Sequence, residues 1–307
     1  MSIHVQETGL WSRTTVVPDQ RSLRLAWSEA RPAVQGIFQL RLLSGILIGA
    51  GGLTAVDWTI AVATALSWLL VTWSIYLING VADQAEDVSN GSRRPIARGE
   101  LDAATARRLA IVLGVCGLVA AASVSGLLLA LAWLLLAVGW AYSTGPRPLQ
   151  RTIAGVQLCV ISGGLFTYLA GAHAADASLT PTLLVFAAAM SAWMGVGGLA
   201  KDLSDVVGDR RAGRRTLPVL RGERTARAAV TVAASAVAAG FLAGALAFAP
   251  VLLAAAAATL AGATALGVAA LGPWSRAGLA TPRLPYRIFM VTQYSVHALA
   301  LAVLLLS

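Results

Sequence analysis

The sequence predicts an all-α integral membrane protein with nine transmembrane helices, and its composition, its long apolar runs and the placement of its charges all indicate this class. The 307 residues are 57% hydrophobic and only 12% charged, whereas soluble domains carry about 25% charged residues. Apolar stretches of roughly 20 residues, long enough to cross a bilayer as helices, recur along the chain. We therefore expect residues 1–307 to form one membrane domain, with a cytoplasmic N-terminal tail at 1–30.

The nine predicted helices account for nearly all of the apolar runs. Their expected ranges are 34–56, 58–79, 104–122, 124–143, 152–172, 179–199, 225–248, 250–271 and 287–306. Cys116 and Cys159 both fall inside these runs, so we expect neither a disulfide framework nor a thiolate metal site. Residues 1–30 contain several charged side chains and no apolar core, so we do not expect a secretory signal peptide there.

Positive charge lies on alternate connections between the predicted helices. All but one of the 23 Lys and Arg residues fall in the N-terminal tail or near the connections after the second, fourth, sixth and eighth helices. With nine helices these segments share one side, which the positive-inside rule makes cytoplasmic. We therefore predict a multi-pass cell-membrane protein with a cytoplasmic N-terminus and active site and an external C-terminus. The net charge of +9 follows helix ends rather than a basic soluble face, so no nucleic-acid partner is expected.

A first acidic cluster follows the second predicted helix. Asn79, Asp83 and Asp87 are spaced at i, i+4 and i+8, so on a continuous helix they share one face. The cluster leads into a connection that contains several Arg residues. Carboxylates grouped at a membrane surface are costly unless a cation lies among them.

A second acidic cluster follows the sixth predicted helix. Asp202, Asp205 and Asp209 are spaced at i, i+3 and i+7, which again places them on one helical face. The predicted topology brings both clusters to the cytoplasmic side. Oxygen ligands without nearby His or Cys suit Mg²⁺, which keeps water ligands and shares itself with substrate phosphates.

The combination of acidic clusters and Arg residues indicates the class of substrate. Carboxylates, Mg²⁺ and guanidinium groups together can hold a diphosphate. An apolar cavity beneath them would accept an isoprenoid tail, so the expected partner within the lipid bilayer is an isoprenyl diphosphate. Metal and Arg would stabilise the leaving diphosphate while the allylic C–O bond ionises, and aromatic faces would stabilise the resulting cation.

Both clusters resemble the motifs of the UbiA family of intramembrane prenyltransferases. The N-x-x-x-D-x-x-x-D pattern of residues 79–87, with the following Arg94-Pro95-Ile96 and Gly99, looks like the family's first motif. Lys201-Asp202-x-x-Asp205-x-x-x-Asp209-Arg210, followed by Thr216-Leu217-Pro218, resembles the second. The resemblance covers nearly the whole chain. It implies a UbiA-type bundle of nine helices with a central apolar cavity that opens at the cytoplasmic side.

The resemblance also implies Mg²⁺-dependent transfer of a prenyl group from its diphosphate to a small acceptor, which we expect to be aromatic. One Mg²⁺ would be held by Asn79, Asp83 and Asp87, and the other by Asp202, Asp205 and Asp209. The side chains expected to contact diphosphate are Arg94, Lys201, Arg210, Ser143 and Arg41, the last of which could equally contact the acceptor. Those expected to act at the reacting centre are Asp83, Asp87, Asp205, Asp209 and Tyr142.

One departure from the family pattern bears on the acceptor, because Gln150 stands where the family commonly has Lys. A second function therefore stays open, a UbiA-type terpene cyclase that quenches the cation internally and needs no acceptor. A transporter is disfavoured. Its ionisable groups should lie near the bilayer midplane on broken helices, whereas the acidic clusters of this chain lie at predicted helix ends on one side.

Overall fold

The computed structural model describes residues 19–89, 91–275, 281 and 283–306, and the regular elements within these ranges are helices. The α-helices, numbered in chain order, are α1 (Gln20–Glu29), α2 (Pro32–Ala50), α3 (Trp58–Ala82), α4 (Gln84–Ser89), α5 (Ala103–Val124), α6 (Gly126–Ser143), α7 (Ile153–Ala174), α8 (Pro181–Asp202), α9 (Val206–Arg211), α10 (Leu217–Arg221), α11 (Glu223–Phe248), α12 (Leu253–Leu271) and α13 (Leu284–Leu306). In this part of the chain nine of them are long and apolar enough to cross a membrane, as the sequence predicts: α2, α3, α5–α8 and α11–α13.

The nine long helices form one closed bundle. Each contacts the next along the chain, and α13 returns to pack against α2 and α8. Helix α2 also packs closely on α7, where a Cβ on Gly45 would lie 2.6 Å from the carbonyl oxygen of Tyr168. One apolar core joins α2, α3, α6 and α7, and another joins α8, α11, α12 and α13. Helices α2 and α7 contribute buried residues to both cores and so connect them.

The first membrane helix is shorter than predicted, although the other eight agree to within three residues at each end. The expected range ran to residue 56, but α2 ends at Ala50 because Gly51, with φ 72°, closes it in the left-handed conformation. Glycine adopts this conformation without the steric cost of a Cβ. The apolar run continues past this helix end, so hydropathy alone overestimated the length of the helix.

The segment expected to be a tail up to residue 30 contains a helix, α1. Its N-cap is Asp19, whose carboxylate accepts a hydrogen bond from the Ser22 N–H at 2.8 Å. Trp27 of α1 packs edge-on against Trp73 of α3, with 5.1 Å between ring centroids. Glu29, at the end of α1, is fully buried. This short helix is polar overall, so the hydropathy of the sequence does not predict it.

Each acidic cluster spans an interruption between two helices, so its three spaced residues do not lie on one unbroken helix. One residue, Asp83, separates α3 from α4, and three residues separate α8 from α9. The N–H groups of Asp83 and Asp87 still donate to the carbonyls four residues earlier, at 2.9 and 2.8 Å. In the second break the Ser204 hydroxyl donates to the carbonyl of Lys201 at 2.9 Å. Such local side-chain bonds compete with the helical hydrogen-bond pattern. In the first cluster, Asp83 and Asp87 pair with different Arg residues.

Candidate active site

Arg214, which lies between α9 and α10, joins the two acidic clusters. Its Nη2 atom is 3.2 Å from Asp83 Oδ1 and 2.7 Å from Glu86 Oε2. The Arg214 backbone N–H donates to the carbonyl of Asp209 at 2.9 Å. The segments that follow α3 and α8 therefore meet at one end of the bundle, which we call the acidic end (residues 79–89, 91–94 and 201–216).

Asp83 has the most partners among the carboxylates of the first cluster. Besides Arg214, its Oδ1 accepts a hydrogen bond from Gln150 Nε2 at 2.9 Å, and its Oδ2 accepts one from Asn79 Nδ2 at 3.0 Å. The same Asn79 nitrogen donates to Ser143 Oγ at 3.2 Å. Asp83 and Asn79 together thus link the end of α3 to the end of α6 and to the connection that leads to α7.

Asp87 faces a different partner, Arg94. The Nη1 atom of Arg94 is 2.8 Å from Asp87 Oδ2, and its Nη2 atom is 2.7 Å from Glu29 Oε1 of α1. The other Glu29 oxygen accepts a hydrogen bond from the Ile96 N–H at 3.0 Å. Burial raises the pKa of Glu29, and the charge of Arg94 opposes this rise. Gly80 leaves space for the pair, because a Cβ at this position would collide with Glu29 Oε1.

Replacing Glu29 with Gln should destabilise the protein, because buried Arg94 then keeps only one of its two carboxylate partners. Removing one partner of a buried ion pair costs about 3–5 kcal/mol, and we expect the lower end of this range because Asp87 remains. Thermal unfolding in detergent measures the effect. In the control Glu100→Gln, the carboxylate removed pairs with Arg98 at the surface, where a pair contributes little. Equal unfolding midpoints for the two variants would contradict a stabilising role for Glu29.

Two carboxylates of the second cluster, Asp205 and Asp209, differ in their partners. Lys201 Nζ and Arg283 Nη2 each lie 3.7 Å from Asp205, on different oxygens. Asp209 is 3% exposed, and within the described residues its Oδ2 has no hydrogen-bond partner. Burial raises the pKa of Asp209, while Arg214 and Lys201 oppose this rise. Because a buried carboxylate oxygen without a partner is costly, Asp209 is suited to receive a cation.

A cavity of about 220 Å³ connects the acidic end with the interior of the bundle. Its polar end is lined by Asn79, Asp83, Lys201, Asp202 and Arg214. Apolar side chains from α2, α3, α6, α7, α8 and α13 form much of the remaining wall, among them Ile37, Phe38, Ile75, Leu135, Val138, Val156, Met194 and Phe289. The cavity therefore offers charged groups at one end and an apolar surface beyond them.

The side chains predicted to contact diphosphate occupy different environments. Lys201 lines the cavity, and Ser143 accepts the hydrogen bond from Asn79 beside it. Arg94 is held by Asp87 and Glu29, and Arg210 is exposed on α9. Arg41 also lines the cavity, in the middle of α2, and Tyr142 lies on the wall formed by α6.

Sequence reasoning did not select four residues that the structure brings to the site: Glu29, Glu86, Gln150 and Arg214. Arg214 belongs to a run of Arg residues after the second cluster, and spacing alone does not distinguish its members. Gln150 differs from the Lys that the family commonly has at this position, and its side-chain amide donates a hydrogen bond to Asp83. Glu29 and Glu86 carry no sequence signal beyond their charge.

The donor set fits Mg²⁺ that is shared with a substrate. Across the described ranges, no three His, Cys, Asp or Glu side chains are grouped closely enough to hold a metal ion by themselves. Mg²⁺ usually binds one or two carboxylates and completes its octahedron with water and substrate phosphate. Asp83 at the polar end of the cavity and Asp209 with its free oxygen supply one such carboxylate from each cluster.

Comparisons with known proteins agree with this architecture. A sequence profile of the UbiA prenyltransferase family matches residues 41–292. Digeranylgeranylglyceryl phosphate synthase from Methanoculleus marisnigri is 34% identical over 196 residues, which are 63% of this chain and 67% of that protein. The protein of the same name from Natronomonas pharaonis is 29% identical over 200 residues, or 62% and 70% of the two chains.

Solved structures share the fold at low sequence identity. A UbiA homolog from Archaeoglobus fulgidus bound to GPP and Mg²⁺ superposes with a TM-score of 0.72 at 18% identity, covering 91% of this chain and 99% of that chain. The apo structure of a UbiA homolog from Aeropyrum pernix superposes with a TM-score of 0.65 at 21% identity, covering 87% and 96%. The helical bundle described above is therefore the fold of these proteins.

Proposed function

This chain belongs to the UbiA prenyltransferase family, and from this premise we propose that it transfers a prenyl group from an isoprenyl diphosphate to an acceptor, with Mg²⁺ as cofactor. One observation carries the proposal. Arg214 pairs with Asp83, and the polar end of one apolar cavity is lined by a carboxylate from each cluster, Asp83 and Asp202. The presence of GPP and Mg²⁺ in the Archaeoglobus fulgidus homolog supports the same pairing of ligand and metal.

The residues of the acidic end would hold the diphosphate from two sides. Asn79, Asp83 and Asp87 are proposed to bind one Mg²⁺, and Asp202, Asp205 and Asp209 the other. Bound Mg²⁺ supplies charge neutralisation for a departing diphosphate. Lys201 and Arg214, which face the cavity, donate to the remaining phosphate oxygens. Guanidinium and ammonium groups form strong charge-assisted hydrogen bonds with phosphate.

The reaction breaks the C–O bond between the allylic C1 carbon and the diphosphate, and the electron pair leaves with the diphosphate. The nucleophile of the acceptor forms the new bond to C1, and its displaced proton passes to the released diphosphate or to water. Tyr76 and Tyr142 lie on the cavity wall, and their rings can face the positive charge that develops on the prenyl group. The apolar wall excludes water that would otherwise hydrolyse the cation.

The identity of the acceptor is the finer part of the proposal. The aromatic acceptor expected from the sequence has no counterpart in the name of the relatives from Methanoculleus marisnigri and Natronomonas pharaonis, which specifies a glyceryl phosphate product. Both acceptor classes therefore enter the test. A terpene cyclase is the competing function, because it would use the same acidic clusters without an acceptor.

The test uses the purified protein in lipid nanodiscs with Mg²⁺ and geranylgeranyl diphosphate. Three parallel reactions contain no acceptor, 4-hydroxybenzoate, or geranylgeranylglyceryl phosphate, and diphosphate release and product mass are measured. We expect a prenylated acceptor in one of the last two reactions, and no product after EDTA treatment. A cyclised hydrocarbon or alcohol formed without acceptor would establish the cyclase instead. No diphosphate release in any reaction would reject the proposed function.

We further propose that the acidic end faces the cytoplasm and that the C-terminus lies outside. The support is the excess of Lys and Arg in the connections at this end. Alkaline phosphatase fused after the last residue should be active in intact cells. An inactive fusion that is expressed at a normal level would contradict this orientation.

A further inference from the structure

Two polar side chains lie in the cavity wall with no partner for most of their polar atoms. Arg41 of α2 is 3% exposed and Gln293 of α13 is 1% exposed, and both line the cavity. Nε and Nη1 of Arg41, and both amide atoms of Gln293, lack a hydrogen-bond partner within the described part of the chain. The titratable groups near Arg41 include Tyr76, Tyr168 and His297. The cavity thus contains a second polar site besides its acidic end.

The Arg41 guanidinium is energetically unfavourable at this position, because the Tyr168 hydroxyl that contacts it is neutral. A buried charge without a counter-charge is strongly destabilising. The ring of Phe38 lies 5.0 Å from Arg41 Cζ, and a cation–π contact of this kind offsets only part of that cost. The amide of Gln293 adds a further unsatisfied donor and acceptor. A ligand with anionic oxygen atoms would satisfy these donors.

The position of this pair separates it from the carboxylates. Arg41 and Gln293 each lie nine residues from the first residue of their helix, which is about 14 Å along the axis. Asn79 lies three residues from the end of α3, or about 5 Å. Long side chains on a helix lean toward its N-terminus, and the Arg41 guanidinium lies over Phe38, one turn closer to the acidic end. This level corresponds to the first carbons of a prenyl chain whose diphosphate is bound by the carboxylates.

We propose that Arg41 and Gln293 bind the anionic oxygen group, a carboxylate or a phosphate, of the acceptor substrate. The inference rests on the proposed prenyl transfer and adds the chemical class of the acceptor. The planar guanidinium can donate two parallel hydrogen bonds to a carboxylate or phosphate, and the Gln293 amide can donate a third. An acceptor held there lies beside C1, where its nucleophile must attack.

The same pair has a consequence for the reaction itself. A positively charged side chain near C1 opposes the positive charge that develops when the C–O bond ionises. An anionic acceptor bound to Arg41 removes this repulsion, so ionisation becomes favourable only when the acceptor is present. The arrangement disfavours a cyclase. Without an anionic acceptor, the carbocation of a cyclase would form close to the positive charge of Arg41 and be repelled by it.

The test compares wild type with Arg41→Gln on matched acceptors. The pairs are 4-hydroxybenzoate with its neutral methyl ester, and geranylgeranylglyceryl phosphate with geranylgeranylglycerol. We expect Arg41→Gln to raise KM for the preferred anionic acceptor by about 10- to 100-fold, the effect of losing hydrogen bonds to a charged group, and to leave KM for the neutral partner and for prenyl diphosphate nearly unchanged. An equal rise for charged and neutral acceptors, or a rise for prenyl diphosphate alone, would overturn the assignment.

Gln293→Glu provides a second test that does not depend on the tolerance of the fold for losing Arg41. The new carboxylate would pair with Arg41, so the unfolding midpoint should rise while the anionic acceptor no longer binds. Thermal stabilisation of each protein by the acceptor alone measures binding without turnover. If the acceptor stabilises wild type but neither variant, the binding site is supported, whether or not prenyl transfer is detected. Absence of transfer would reject only the proposed function. Equal stabilisation of all three proteins would overturn the site while leaving prenyl transfer intact.

Discussion

Asp83→Asn should lower kcat/KM for prenyl transfer by at least about 100-fold. Asp83 is the carboxylate on which Asn79, Gln150 and Arg214 converge at the polar end of the cavity. The amide keeps the shape of the side chain but removes the charge that would hold Mg²⁺ against the diphosphate. A metal ion contributes several kcal/mol of transition-state stabilisation in such reactions, and each 1.4 kcal/mol corresponds to about a tenfold change in rate.

The control for this prediction is Asp57→Asn, at the opposite end of the same helix. Asp57 is the N-cap of α3 and accepts hydrogen bonds from the Thr59 and Ile60 N–H groups. Asn caps helices about as well as Asp, so stability and activity should stay near wild type. Both variants are compared by diphosphate release and by their unfolding midpoints. Activity of Asp83→Asn within a few-fold of that of Asp57→Asn would remove Asp83 from the catalytic site.

Arg214→Gln should reduce kcat/KM by about 30- to 100-fold, whereas Arg210→Gln should change it by less than about twofold. The expected loss corresponds to the 1.5–3 kcal/mol typical of hydrogen bonds that involve charged groups. Arg214 is buried, lines the cavity and contacts Asp83 and Glu86, whereas Arg210 is exposed. The pair compares the Arg chosen from the sequence motif with the Arg that the structure brings to the carboxylates.

A purely structural role for Arg214 needs to be distinguished from a role in binding diphosphate. Removing Arg214 leaves Asp83 and Glu86 without their shared counter-charge, so a lower unfolding midpoint is expected as well. Arg214→Lys keeps the charge and should recover part of the affinity for prenyl diphosphate, measured as KM. If Arg210→Gln were the more damaging substitution, the assignment from the motif would stand, and Arg214 would serve only to hold the two clusters together.

Local patterns in the sequence predicted most of the bundle. The hydropathy that defines a membrane helix is a property of about 20 consecutive residues, and eight of the nine helix ranges agree with the structure to within three residues at each end. The discrepancy in α2 also has a local cause, the left-handed Gly51 that ends the helix inside an apolar run. The short polar helix α1 carries no such signal and was missed.

The pairings at the site followed less directly from the sequence. A regular spacing of carboxylates predicted a continuous helical face, but α3 and α8 both end within the clusters, and Asp83 and Asp87 turn to different Arg partners. Glu29 lies 65 residues before Arg94 in the chain, yet the Arg94 side chain donates a hydrogen bond to the Glu29 carbonyl. No spacing rule relates groups so far apart, because their contact depends on how separate helices pack.

The sequence by itself determined the membrane class, the nine long helices, the family and the two acidic clusters, because each of these depends on the composition and order of neighbouring residues. Only the packing of the bundle selected Arg214 over Arg210 and coupled Glu29 to Arg94. Packing also left Nε and Nη1 of Arg41 and the amide of Gln293 without a hydrogen-bond partner among the residues that the structure describes. The energy of a buried charge depends on which distant groups surround it, and that arrangement exists only after the helices have assembled.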